Sequence, residues 1–328
     1  MVAPGKGVLA ADESSGTITK RFQAIGVEST FDSRRAYRET LLSTPGLEEF
    51  VSGVILYDET LRQSTADGTP FPKLLEERGI LPGIKVDTGA MDLAGAPGEK
   101  VTEGLDGLRA RVEEYVGLGA RFAKWRAVIT IGDHIPSDYC IAVNAHALAR
   151  YAALCQEGGL VPIVEPEVLM DADNDIDRCF EVTEKTQHAV FAQLALQRVS
   201  FEGMILKPNM VISGKKCATQ AGVEEVAEKT LRCLRRTVPA AVPGIAFLSG
   251  GQSADVATAH LNAMNAMGPH PWALSFSYGR ALQDPALVAW SGEETNVKAG
   301  QDALYLRSKL NSLATAGNYS DELERAGA

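Results

Sequence analysis

Residues Val161–Val168 read VPIVEPEV. A short, mostly apolar run of this kind, following Gly158-Gly159, has the pattern of a strand buried on both faces. Glu165 and Glu167 stand two positions apart within it. Residues i and i+2 of a strand share a face, so both carboxylates point the same way. A charge inside an apolar run is costly unless it is paired. The run therefore predicts a strand that carries two acids into an enclosed polar site.

Seven other runs repeat the pattern: Gly7–Asp12 (GVLAAD), Gly53–Asp58 (GVILYD), Pro82–Asp87 (PGIKVD), Phe122–Val128 (FAKWRAV), Gly203–Met210 (GMILKPNM), Gly244–Gly251 (GIAFLSGG) and Ala273–Arg280 (ALSFSYGR). Helical spacing lies between them. Leu105, Leu108 and Val112 lead to Gly119; Ala145, Leu148, Ala152 and Cys155 lead to Gly158; Val223, Val226, Leu231 and Leu234 stop before Pro239. Strand alternating with helix eight times predicts a (β/α)₈ TIM barrel, an α/β fold, with residues 1–328 as a single domain. An open doubly wound sheet is the second reading. Gly5, Gly7 and Gly16 do not form the GxGxxG turn that usually follows the first strand of such a sheet.

The chain has 328 residues, 45% of them apolar, and a formal net charge of −10. An acidic surface argues against nucleic acid or an anionic membrane as the main partner. No apolar run reaches the length of a membrane span. Residues Met1–Gly7 hold no apolar signal-peptide core. Five scattered cysteines without CxxC suit a reduced, cytoplasmic setting. The five histidines show no HxH or HExxH spacing, so neither a metal nor a cofactor is expected; His146, His188 and His260 read as packing or surface residues. The acidic stretch Asp171–Asp177 lacks the glycine and final glutamate of a calcium loop and reads as a solvated loop and helix start.

Charges recur in or at the ends of the strand runs: Asp12, Lys85, Lys124, Arg126, Glu165, Glu167, Lys207 and Arg280. Barrel active sites lie at the carboxyl ends of the strands, where these residues would converge. A structural ion-pair network is the bland alternative. A lysine nucleophile must be deprotonated, and burial beside another cation favours the neutral amine. Lys124 and Lys207 suit that arrangement, because strands four and six flank the strand that carries both glutamates.

Phosphate often binds after barrel strands seven and eight. Those ends read Ser249-Gly250-Gly251 and Ser277-Tyr278-Gly279-Arg280, glycines for close backbone approach and a guanidinium fork. Ser14, Ser15, Thr17 and Arg21 follow strand one. With Lys85 they offer a second anion site, and they also suit a helix N-terminus.

GKGVLAADESSG (Gly5–Gly16), FAKWR (Phe122–Arg126), VEPEV (Val164–Val168), ILKPNMV (Ile205–Val211), FLSGGQS (Phe247–Ser253) and WALSFSYGRALQ (Trp272–Gln283) together resemble the class I fructose-bisphosphate aldolases, in order and over nearly the whole chain. The resemblance implies reversible retro-aldol cleavage of fructose 1,6-bisphosphate, with no metal or cofactor. It implies Lys207 as the Schiff-base lysine and Glu165 as the acid/base that takes the C4 hydroxyl proton. Glu167 would hold Lys124, which assists carbinolamine formation, and Asp12 would support the iminium. The C1 phosphate would rest on Ser249, Gly250, Gly251, Ser277, Gly279 and Arg280. Ser14, Thr17, Arg21 and Lys85 would face the C6 phosphate, and Arg126 would help organise the charges. Partners would be phosphosugars, with a homotetramer common in relatives.

Two departures accompany the resemblance. Animal members end in a tyrosine that assists proton exchange at C3, whereas this chain stops at Gly327-Ala328, so that step is expected to be slow. The first strand also comes at once, without the helix relatives carry before it, and the segment from about residue 318 is expected to be flexible. Other readings remain: a different Schiff-base barrel aldolase or transaldolase, or a non-catalytic barrel scaffold.

Overall fold

A computed structural model describes residues 1–326. Gly327 and Ala328, and with them the expectation about the chain's end, lie outside the described residues. All eight expected strands form, and a hairpin brings the total in chain order to ten. They are β1 (Gly7–Ala11), β2 (Val51–Leu56), β3 (Leu81–Lys85), β4 (Gly89–Asp92), β5 (Lys100–Glu103), β6 (Phe122–Ile129), β7 (Val161–Val168), β8 (Ile205–Leu206), β9 (Gly244–Phe247) and β10 (Ala273–Tyr278). Eight of them close into a parallel barrel in the order β1-β10-β9-β8-β7-β6-β3-β2.

Period-two alternation explains how a barrel with an apolar floor acquires a charged mouth. Val8, Ala10, Ile55, Phe122, Ile163, Ile205 and Ala246 pack together as an apolar cluster. Two or four positions further along the same faces come Asp12, Lys124, Glu165 and Lys207. Floor packing is close: a Cβ on Gly83 would come within 2.2 Å of the Phe122 ring, so only glycine admits that ring. The alternate residues face outward. Leu9, Trp125, Val164 and Leu206 join the shell of core between barrel and helices.

The helices are α1 (Ser15–Ala24), α2 (Phe31–Leu42), α3 (Asp58–Leu61), α4 (Phe71–Glu77), α5 (Leu108–Gly117) and α6 (Asp138–Glu157). They continue with α7 (Ile176–Leu196), α8 (Val223–Thr237), α9 (Ala254–Ala266), α10 (Arg280–Trp290), α11 (Val297–Ala314) and α12 (Asp321–Ala326). The acidic stretch is a loop and helix start: the Asp175 carboxylate accepts the Arg178 N–H at 2.8 Å and caps α7. Among the described residues, no helix is long and apolar enough to cross a membrane.

Two features differ from the sequence expectation. The antiparallel β4–β5 ribbon was not foreseen. Thr102 alone of its eight residues is buried, so it lacks the apolar signature of a barrel strand. Thr102 ties it to the barrel by donating to the Arg126 carbonyl at 2.7 Å. Strand β8 is only two residues long, because Pro208 lacks the N–H that would continue the ladder. In the segment from residue 318, Tyr319 and Glu324 make contacts with the rest of the chain. Tyr319 N donates to Asn262 at 2.9 Å, its hydroxyl donates to Glu324 at 2.8 Å, and Glu324 pairs with Arg307.

Candidate active site

A cleft of about 680 Å³ opens at the carboxyl ends of the strands. Every residue given a catalytic or phosphate-binding role from the sequence lines it except Ser15 and Gly251. Tyr319 is not among its lining residues.

At its base, Lys124 Nζ lies 2.7 Å from Asp12 Oδ2 and 3.2 Å from Glu165 Oε2. The second contact is an ion pair without an aligned hydrogen bond. Lys207 Nζ lies 3.1 Å from the other oxygen, Glu165 Oε1. Lys124, Glu165 and Lys207 are each 3% exposed. The backbone holds Lys207 in register just past the end of β8, its N–H donating to the Val164 carbonyl at 2.8 Å.

Burial opposes charge on all these groups, yet their mutual attraction prevails. The Asp12 carboxyl is held well below its ordinary range: burial pushes it up, but Lys124 and Lys207, and then Lys85, pull it down further. Glu165 is likewise lowered, with burial opposed by Lys124, Lys207 and Arg126. Burial lowers the Lys124 ammonium, but Asp12, Glu165 and Asp87 raise it above the ordinary lysine value. Lys124 is thus a fixed cation and Glu165 a fixed carboxylate at neutral pH.

One expected pairing is corrected. Glu167 is bound by the Arg126 guanidinium, not by Lys124. The register sets Arg126 beside Glu165 and Val128 beside Glu167, and the long Arg126 side chain reaches two residues up to Glu167. Lys124 sits lower in the barrel, where Asp12 and Glu165 take it instead.

The turn after β9 brings Gly250 and Gly251 to positive φ, +61° and +82°. A Cβ on Gly251 would stand 2.7 Å from Lys215 Nζ and 2.8 Å from an Arg280 guanidinium nitrogen and would push these side-chain ends aside, while the positive φ itself favours glycine. Arg280 is the first residue of α10, whose N-terminus therefore opens at the mouth. Ser277 Oγ is buried and has no hydrogen-bond partner. Past the end of β1, which pairs with β10, Ser14 Oγ and Thr17 Oγ1 lie 3.1 Å apart, and at the end of β3 Lys85 pairs with Asp87 at 2.7 Å. Arg21 lies 2.8 Å from Glu13, which also pairs with Arg38 at 2.7 Å.

The sequence reading passed over Asp87 and Glu13. Asp87 is 7% exposed; it pairs with Lys85 and accepts the Arg126 N–H at 3.2 Å. Its signal was available, because an acid closing a barrel strand run is the rule that singled out Asp12. Glu13 adjoins Asp12 and is recognisable only from Arg21 and Arg38, which the fold brings to it. Among the described residues, no group of three or more His, Cys, Asp or Glu is placed to hold a metal ion.

A closed (β/α)₈ barrel with two buried lysines sharing one glutamate at its mouth is the frame of a carbon–carbon lyase that works through lysine. Residues 1–328 match the family model of fructose-bisphosphate aldolase class-I. The chain is 62% identical over 320 residues to a probable fructose-bisphosphate aldolase class 1 of Xanthomonas campestris pv. campestris, covering 97% of this chain and 96% of the relative. It is 53% identical over 322 residues to fructose-bisphosphate aldolase 4, cytosolic, of Arabidopsis thaliana, covering 98% and 82%. The fructose-bisphosphate aldolase of Plasmodium falciparum, solved in complex with TRAP and a small molecule inhibitor, superposes with a TM-score of 0.96 at 50% identity over 97% of this chain and 92% of that one. The chain belongs to the class I fructose-bisphosphate aldolase family. It is an aldehyde-lyase that reversibly cleaves fructose 1,6-bisphosphate to dihydroxyacetone phosphate and glyceraldehyde 3-phosphate through a lysine Schiff base.

Proposed function

We propose that Lys207 is the lysine that forms the Schiff base and that Glu165 moves its protons. The Lys207 amine attacks the C2 carbonyl of the open-chain sugar, and the carbinolamine loses water to give an iminium. Glu165 takes the C4 hydroxyl proton as the C3–C4 bond breaks. The electron pair flows into the iminium, glyceraldehyde 3-phosphate leaves, and an enamine remains on Lys207. Protonation at C3 and hydrolysis release dihydroxyacetone phosphate. The observation that carries this reading is the sharing of Glu165 between Lys207 and Lys124 through opposite oxygens. The carboxylate stands beside the nucleophile, while Lys124 keeps it ionised. Asp12 and Lys124 form a charged pair that assists carbinolamine formation, and Arg126 with Glu167 borders it.

The C1 phosphate is assigned to Ser249, Gly250, Gly251, Ser277, Gly279 and Arg280. The unpartnered Ser277 hydroxyl and the N-terminus of α10 support this. The C6 phosphate is assigned to Ser14, Thr17, Lys85 and Arg21. Anchors at both ends convert binding energy into orientation of the bond to be broken. Residues 1–328 act as one domain without a cofactor, in the cytoplasm, and assemble as a homo-oligomer. The cytosolic naming of plant relatives supports the location, and light scattering tests the assembly.

Borohydride reduction in the presence of dihydroxyacetone phosphate, followed by peptide mapping, tests the assignment. The adduct is expected on Lys207, and an adduct on Lys124 or Lys85 would refute it.

A further inference from the structure

Gln252 directly follows the Ser249–Gly251 turn. Its backbone N–H and its Nε2 both donate to the Ser249 carbonyl, each at 3.0 Å. That leaves Gln252 Oε1 as an acceptor, and His260 Nδ1 lies 2.7 Å from it. A carboxamide oxygen only accepts, so His260 Nδ1 carries the proton and donates. His260 is 5% exposed, and burial pulls its pKa down to about 4, so its ring is neutral at working pH. It sits within α9, beside buried Leu261 and two residues from Thr258, whose hydroxyl lies 3.1 Å from Asn311 of α11.

We propose that His260 is a positioning residue for the aldolase reaction: through Gln252 it holds the Ser249–Gly251 turn in the shape that receives the C1 phosphate. The inference rests on the assignment of that turn as a phosphate anchor. Two consecutive glycines at positive φ have wide conformational freedom, and a turn built from them does not keep its shape unaided. Pinning one carbonyl through a side chain that is itself fixed to a buried helix removes that freedom before substrate arrives. The cost of ordering the turn is then met in folding rather than in binding, which tightens substrate.

The experiment compares His260→Leu, His260→Asn, His260→Gln and Gln252→Met with the wild type. Measured quantities are KM and kcat for fructose 1,6-bisphosphate, Ki for inorganic phosphate, and Tm. Asparagine places its amide nitrogen where Nδ1 stood, whereas glutamine places it one atom further out. His260→Leu, His260→Gln and Gln252→Met are each expected to raise KM and the phosphate Ki by about five- to tenfold, the scale of one lost hydrogen bond, with kcat within about twofold. His260→Asn is expected to restore both constants. If His260→Leu does not fold, Gln252→Met carries the test, since Gln252 is only half-buried. Unchanged KM and phosphate Ki in both of these variants would overturn the inference, as would failure of a folded His260→Asn to restore them. Arg280→Ala separates this from the underlying assignment. If Arg280→Ala raises both constants and the His260 and Gln252 variants do not, only the positioning role fails. If Arg280→Ala leaves both unchanged, the phosphate assignment fails and takes the inference with it.

Discussion

Glu165 Oε1 stands 3.1 Å from Lys207 Nζ, and both side chains are buried at the base of the cleft. Glu167 shares the same face of β7 but touches Arg126. The two glutamates should therefore separate in kinetics. Glu165→Gln is expected to lower kcat by about 10²–10⁴-fold, the usual contribution of a positioned acid or base. Glu167→Gln should have a smaller effect, because its partner is at the rim. Equal losses in steady-state cleavage assays would show that the two carboxylates act as a unit.

Lys124→Met should retain borohydride-dependent labelling at Lys207 while slowing turnover. Lys124 neutralises Asp12 and Glu165 but meets the Glu165 oxygen that the Lys207 amine does not. Removing it strands two carboxylates with less compensation, and loss of one partner from a buried pair costs about 3–5 kcal/mol. Remaining contact with Lys207 should hold the loss toward the low end. Complete loss of label in a folded variant would mean that Lys124 is needed for the bond itself.

Acid should weaken the fold through the same cluster. Asp12 and Glu165 have carboxyl pKa values lowered in the folded state. Groups of this sign stabilise the fold above the unfolded carboxylate range near 4, and that stabilisation is lost as pH falls through the folded values. Lys124 is shifted upward, so its contribution is complete below the unfolded lysine value near 10.4 and is lost only as pH rises through the folded value. Lys124→Met removes the leading attraction on both carboxylates. Its acid unfolding midpoint, followed by circular dichroism, should move to higher pH than the wild type; coincident acid limbs would contradict the cluster's electrostatics.

Gly251→Ala should weaken phosphate binding. A left-handed backbone at φ +82° costs an alanine about 1–2 kcal/mol, and the new Cβ would press on Lys215 and Arg280. Higher KM for fructose 1,6-bisphosphate and weaker competition by inorganic phosphate are expected. Wild-type values for both would show that the turn does not touch the phosphate.

Chelation should leave cleavage intact, because an iminium on Lys207 supplies the electron sink that a Lewis acid would otherwise provide. The check is turnover after prolonged incubation with EDTA. Activity lost there and recovered with zinc or cobalt would be incompatible with the lysine route.

Much of this was legible in one dimension. A strand repeats every two residues, so VPIVEPEV alone places Glu165 and Glu167 on one face, and FAKWR does the same for Lys124 and Arg126. Eight such runs separated by helical spacing were enough for a closed barrel, and strand polarity for a mouth at the carboxyl ends. Pairing was another matter. Which cation meets which carboxylate depends on inter-strand register and side-chain reach, so Glu167 went to Arg126 and Lys124 to Asp12. Glu13 gained its meaning from Arg21 and Arg38, which the fold brings to it, Asp87 its link to Arg126 from the neighbouring strand, and His260 its link to Gln252 from the turn before α9. Local periodicity determines which way a side chain points; only the closed barrel determines what it meets there, because that distance is set by strands that are neighbours in space and not in sequence.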